Sequence, residues 1–232
     1  MRQSVFGGAV LAVLLSGALV AAAAVEPFVP ARYLNGPLPQ IPIQAVSAGE
    51  VFLELTVSDG GSVSRTKILR TTPPYTDVMT AAVQQWFFRP AEEEIKPSAG
   101  EPAEPKRWKR VESKVLVAGI FRPPTVDTPT LGELPKDVVS ASNESPSPVV
   151  TGTPAYPALA LFDGIVLVES RIGPDGSVTD ATVIHSAPPF DQPALDAARH
   201  WTFRPARVNG VAVSKLAYIM FAFRQPLTAS KK

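Results

Sequence analysis

The chain has 232 residues, more than one small domain needs and enough for two with connections. Hydrophobic residues make up 45%, which supplies real cores, while 25 prolines require much turn and linker. A net charge of +1 gives no basic excess for nucleic acid, and the absence of cysteine excludes disulfides, thiolate nucleophiles and cysteine metal sites.

Residues 1–24 read as an export segment. Met1-Arg2-Gln3-Ser4 is short and positive, an apolar run from Val5 to Val20 follows, and Ala21 to Ala24 close it. Small residues at Ala22 and Ala24 suit a signal peptidase, with Val25 as the first mature residue. A retained membrane anchor is the alternative, since a span needs about 20 apolar residues. Either way the body is expected in the periplasm.

The body repeats itself. Gly49 to Ala91 aligns without a gap on Gly164 to Ala206, a shift of 115 residues. The strongest block is Trp86-Phe87-Phe88-Arg89-Pro90-Ala91 against Trp201-Thr202-Phe203-Arg204-Pro205-Ala206. Ile41-Pro42 falls on Tyr156-Pro157 at the same shift, and Phe121-Arg122 on Phe223-Arg224 at a shift of 102, so the first copy carries 13 extra residues.

Each copy predicts β-β-α-β. Val51, Leu53, Leu55 and Val57 alternate with Phe52, Glu54, Thr56 and Ser58, a period of two that predicts a strand with one buried face; Val166, Val168, Ser170 and Ile172 keep the phase. Asp59-Gly60-Gly61 and Pro174-Asp175-Gly176 turn the chain into return strands at about 63–70 and 178–185. Pro73-Pro74 and Pro188-Pro189 end those strands. Helices follow, with Thr76 and Asp191 at the expected N-caps. Their apolar stripes are Met79, Ala82, Val83, Trp86 and Ala194, Ala197, Ala198, Trp201. Arg89-Pro90 and Arg204-Pro205 stop them. Last strands at about 111–121 and 213–223 close each unit.

The expected class is α+β: two tandem domains, each a three-stranded antiparallel sheet with one helix packed on it. The expected boundaries are 38–124 for the first domain, 125–153 for a Pro/Ser/Thr-rich linker and 154–228 for the second domain. Residues 92–110, with Glu92-Glu93-Glu94 and Lys106-Arg107, predict a solvated loop.

Tyr156-Pro157, Gly164, Pro174-Asp175-Gly176, Phe190, the block Trp201-Thr202-Phe203-Arg204-Pro205-Ala206 and Asn209-Gly210 together resemble the C-terminal domain of TonB. Residues 38–124 are a weaker match that keeps Trp86, Phe88, Arg89, Pro90 and Ala91. The resemblance implies binding rather than catalysis. In the family an inner-membrane anchor couples to an ExbB–ExbD motor, a Pro-rich spacer crosses the periplasm, and the last strand of the domain receives an extended segment of an outer-membrane transporter by strand addition.

Carried onto this chain, the resemblance implies partner-binding edges at Lys215, Ala217, Tyr218, Ile219, Met220, Phe221 and Phe223, and at Val115, Val117 and Gly119. The implied partner is a TonB-dependent transporter segment or another envelope protein, with an ExbB/ExbD-like motor if the chain is anchored. Two features depart from the family. Ser16 is followed four residues later by Val20 instead of histidine, and no spacer separates Ala24 from the first copy.

Trp86 and Trp201 continue apolar stripes, which points to core more than to partner hot spots. Arg89 and Arg204 read as helix C-terminal dipole partners ahead of carboxylate binders. His185 and His200 make no metal site by themselves, and Asp175, Asp180, Asp191 and Asp196 read as hairpin, strand, cap and helix surface. No cofactor and no enzyme activity is expected. The last-strand edges are either open to a peptide or covered by the neighbouring copy or by a homodimer. A non-energised scaffold built from the tandem domains is the alternative function.

Overall fold

The computed structural model describes residues 28–43, 45, 47–95, 105–121, 130–133, 139 and 141–225. The expected export segment, the middle of the 92–110 loop and residues 226–228 of the expected second domain lie outside them. In chain order the elements are β1 (Phe28–Val29), β2 (Arg32–Asn35), β3 (Gly49–Val57), β4 (Val63–Arg70), α1 (Tyr75–Val83), β5 (Phe87–Arg89), β6 (Ala91–Ile95), β7 (Arg107–Val111) and β8 (Ser113–Phe121). There follow β9 (Thr130–Glu133), β10 (Ser147–Thr153), β11 (Gly164–Ile172), β12 (Val178–His185), α2 (Asp191–Arg199), β13 (Thr202–Arg204), β14 (Ala206–Val208), β15 (Val211–Val213) and β16 (Lys215–Phe223).

The β-β-α-β order holds in both halves, but their sheets are not separate. Three strands from each half join in one six-stranded sheet of order β12-β11-β16-β8-β3-β4. Pairing is antiparallel within each half, while β16 and β8 meet in parallel, with Ala217 opposite Leu116 and Ala222 opposite Phe121. A parallel pair at the seam relates the halves by an approximate twofold along the strands, which puts the two helices on opposite faces. Trp201, Phe190 and Ala198 of the α2 side pack with Val166, Ile219 and Phe221, and also with Phe52, Leu116 and Ile120 of the other half. Met79, Val83 and Trp86 of the α1 side pack with Leu53 and Val117, and also with Leu167, Tyr218 and Met220.

Both faces of the central strands are therefore covered. Every residue of β16 is buried, and β3 buries Phe52, Glu54 and Thr56 as well as Val51, Leu53 and Leu55. The expectation of one solvated face fails for β3, because the second half supplies the missing cover. A strand buried on both sides reads as a near-continuous apolar run, and Lys215–Phe223 is such a run.

The expected boundaries also shift. β2 pairs with β5 and β10 pairs with β13, the same pairing displaced by 115 residues, so each repeat begins with a short strand ahead of positions 38 and 154. The segment expected as linker thus contributes β9 and β10 to a three-stranded sheet with β13. The expected 92–110 loop is partly hairpin: β6 and β7 pair antiparallel from Ala91↔Val111 to Ile95↔Arg107, with β1 on the far side of β6.

Local details repeat with the sequence. Gly61 and Gly176 have φ of +92° and +85°, and a Cβ on either would meet a carbonyl oxygen, of Phe88 at 2.1 Å and of Phe203 at 1.9 Å. Glycine is required twice over: by the left-handed backbone and by the close crossing of the strand after the helix. The Pro73–Pro74 and Pro188–Pro189 bonds are both cis.

Two expectations about the helices are corrected. Asp191 and Thr76 are not N-caps, since α2 and α1 begin after Phe190 and Pro74 without a side-chain cap. They turn back instead: Asp191 accepts from Ala187 N at 2.8 Å, and Thr76 Oγ1 from Thr72 N at 2.8 Å, fastening the preceding turn. Arg89 and Arg204 are not dipole partners. The helices stop at Val83 and Arg199, which leaves both arginines exposed in β5 and β13.

Candidate binding edges and the seam

The residues expected to receive a partner strand lie at the seam. Lys215, Ala217, Tyr218, Ile219, Met220, Phe221 and Phe223 are on β16, bonded to β11 on one side and, from Ala217 to Ala222, to β8 on the other. Val115, Val117 and Gly119 are on β8, between β3 and β16. Neither strand offers an edge, so strand addition at these residues is corrected: each half's last strand is taken by the other half. Of the two options that the residues left open, cover is the arrangement present, and the other half of the chain supplies it.

Their side chains build the seam. Ala217, Ile219, Phe221 and Phe223 face the α2 core, and Tyr218, Met220 and Ala222 the α1 core. The Gly119 Cα leaves room for Met79, whose Sδ a Cβ there would meet at 2.5 Å.

Polar groups that sequence reasoning missed lock the halves together. Glu169 is buried on β11 and takes Arg32 in a two-point pair, Nε–Oε2 3.2 Å and Nη2–Oε1 3.2 Å. Tyr218 donates its hydroxyl to Glu169 at 3.3 Å and accepts from Tyr33 N at 2.7 Å. Glu54, the repeat equivalent of Glu169, accepts from Ser142 N and Oγ, both at 2.7 Å. In each case a segment leading into one repeat reaches across to a carboxylate on the other repeat's inner strand. A buried carboxylate at the same place in two apolar strands was the available signal; a charge is buried only where it is paired and hydrogen-bonded.

The signature residues are structural. Trp201 and Trp86 are buried, donating Nε1–H to Gly152 O at 3.1 Å and Pro37 O at 2.8 Å. Tyr156 donates to Phe162 O at 2.8 Å and packs on Phe190, with Pro157 beside it at the start of the turn that Ala160 N closes. Phe203 and Phe88 are buried, while Pro205 and Pro90 follow the exposed arginines. Asp175 stays in the hairpin, where Ser177 N–H and Oγ–H hold its carboxyl below the ordinary range. His185 is exposed on β12, and His200 bonds the Asp196 carbonyl at 2.6 Å.

Lys215 is the one buried cation among the expected site residues. Its ammonium sits 4.4 Å from the centre of the Phe28 ring, and burial pushes its pKa from 10.5 down to about 8, against the attraction of Glu144 and Glu93. Between about 8 and 10.5 the unfolded chain holds a proton that the folded chain has lost. Stability therefore rises with pH through that window and is lost again as pH falls through 8, by up to about 3 kcal/mol. Lys215→Met is expected to be more stable than the parent at pH 7 and to flatten this rise. Burial raises the Tyr218 pKa, which has the opposite sign but acts only above its ordinary value of 10. Urea melts at intervals from pH 7 to about 9.5 isolate the lysine; a parent whose stability stays level over that range refutes the assignment.

Comparison with known proteins agrees with the second half. Residues 153–224 match the family described as Gram-negative bacterial TonB protein C-terminal. No curated protein matches the chain. The matched stretch runs from the end of β10 through β16, so the likeness to the TonB C-terminal domain lies in the second half of the chain.

Proposed function

We propose that the protein is a periplasmic, TonB-like binding protein linked to transport across the envelope, that it acts by protein–protein contact rather than catalysis, and that its first half is a second, divergent copy of the domain matched at 153–224. The match of residues 153–224 to the TonB C-terminal family carries the transport reading, and the parallel β8–β16 seam supports the pairing of the two halves. Each half uses its last strand on the other, so the body behaves as one preformed pair. Support for the second copy is the shared register: the strand pairings β2–β5 and β10–β13, the paired glycines Gly61 and Gly176 and the paired tryptophans all repeat at 115 residues.

The second reading is a scaffold without motor or transporter, and the closed last-strand edges favour it. Affinity capture from envelope extracts on the full mature chain separates the two. Recovery of identified TonB-dependent transporters is the expected result. Recovery of soluble assembly factors alone, with no transporter, replaces the transport reading by the scaffold.

A further inference from the structure

We propose that the protein takes a partner on the outer edge of β12, and that the partner is a near-neutral extended peptide segment whose alternate residues are apolar. The inference rests on the reading of the protein as a binding protein and says where it binds.

Closing the seam leaves two terminal strands in the sheet, β12 and β4. They are repeat equivalents, yet they are furnished differently. β4 exposes Arg65 and Lys67, and its Leu69 carbonyl already accepts Val139 N–H at 2.8 Å from outside the sheet. Basic side chains and a covering segment are standard guards against adding another strand. β12 has Asp180 and Thr182 at the corresponding places. Asp180 stands opposite Arg171 on β11, which leaves this edge close to neutral. Among the described residues no backbone group beyond β11 bonds to β12.

The flanks of the two edges differ in the helix and not in the strand, since Ile68, at the β4 place of Val183, is 45% exposed. On the α2 face of β12, Ala181 is core, while Val183 and Leu195 pack against that core only partly buried. Thr80 stands in α1 where Leu195 stands in α2. The core at the β12 end is thus unfinished on its outer side. An added strand satisfies both needs: its backbone takes the unpaired row of N–H and C=O groups, and every second side chain lands beside Val183 and Leu195. Its other side chains lie on the Asp180–Thr182 face, where polar residues suit solvent.

The test uses the full chain in cells. A photo-crosslinking p-benzoylphenylalanine is placed at Asp180 and, separately, at the equivalent Arg65. Adducts are expected at 180 and not at 65, with the crosslinked partner peptide alternating apolar and polar residues. Thr182→Pro and Val183→Pro are then combined with the position-180 crosslinker. Neighbouring N–H groups point to opposite sides, so one proline spares the β11–β12 ladder and blocks only the outer edge. That variant, identified by unchanged circular dichroism and melting, is expected to lose adduct by about ten-fold or more. Undiminished adduct in that variant, adducts at 65 instead of 180, or adducts only to a second copy of this chain overturn the proposal. Capture of transporters with no adduct at 180 overturns it too while leaving the transport function standing.

Discussion

Residues 141–225 expressed without the first repeat are expected to associate instead of standing alone as a monomer. In the whole chain Leu216, Tyr218 and Met220 on β16 and Leu167 on β11 are covered by the first half, and all four are buried. Removing that cover exposes them and opens the β16 edge in one step. Each such side chain is worth about 1.5–3 kcal/mol on burial, and a small domain has only about 5–15 kcal/mol in hand. Loss of Arg32 also leaves Glu169 without its cation on the opened face, where any new cover has to bury an unpaired carboxylate. Light scattering after gel filtration is the measurement. Dimers or larger species that dissociate with dilution are expected, while a monomer at micromolar concentration with a cooperative melt shows that the seam is dispensable.

Trp201→Ala is expected to destabilise the fold by about 3–5 kcal/mol, the range for removing a large aromatic side chain from a packed core. Trp201 is 1% exposed, packs on Phe221 and Phe52, and anchors the start of the second repeat through its bond to Gly152 O. The substitution leaves a cavity on the α2 face and an unpaired carbonyl at β10. Because Phe52 belongs to the first half, the loss reaches across the seam, and one cooperative urea transition of unchanged slope is expected at a lower midpoint. A loss under about 1 kcal/mol, of the size typical of surface substitutions, contradicts a core role. A partner hot spot behaves differently: it weakens capture with the midpoint unmoved.

Much of this fold was legible from the chain. The repeat, the β-β-α-β order, the hairpin glycines and the buried tryptophan stripes were all written in local patterns: period two, period near 3.6, and residues that tolerate positive φ. What local patterns do not encode is the partner of a strand. The order β16 beside β8 joins residues about a hundred positions apart, and nothing within either strand names the other. One sign was present. Lys215–Phe223 has apolar residues on both faces, which a half-solvated edge strand does not need, and Phe52 sits on the side of β3 that alternation assigned to solvent. Glu54 and Glu169 were legible as a repeated oddity, but their partners Ser142 and Arg32 lie in segments that composition marked as connection. The helix starts went astray for a nearer reason. Asp191 and Thr76 have the chemistry of caps, but use it to close the turn before the helix.

A pairing between two molecules obeys mass action: it forms when the protein is abundant and dissolves when it is scarce. The β8–β16 pairing is exempt, because both strands belong to one chain and meet at an effective concentration set by the connection between them. A few molecules in an envelope compartment hold the paired state as fully as a concentrated solution does. A covalent pair also has only one of each surface. An intermolecular dimer of identical subunits must present every feature twice, whereas here the two ends of the sheet are free to differ, one guarded by Arg65 and Lys67 and the other not. Pairing within one chain thus trades symmetry for a polarity that makes one end of the sheet distinguishable from the other.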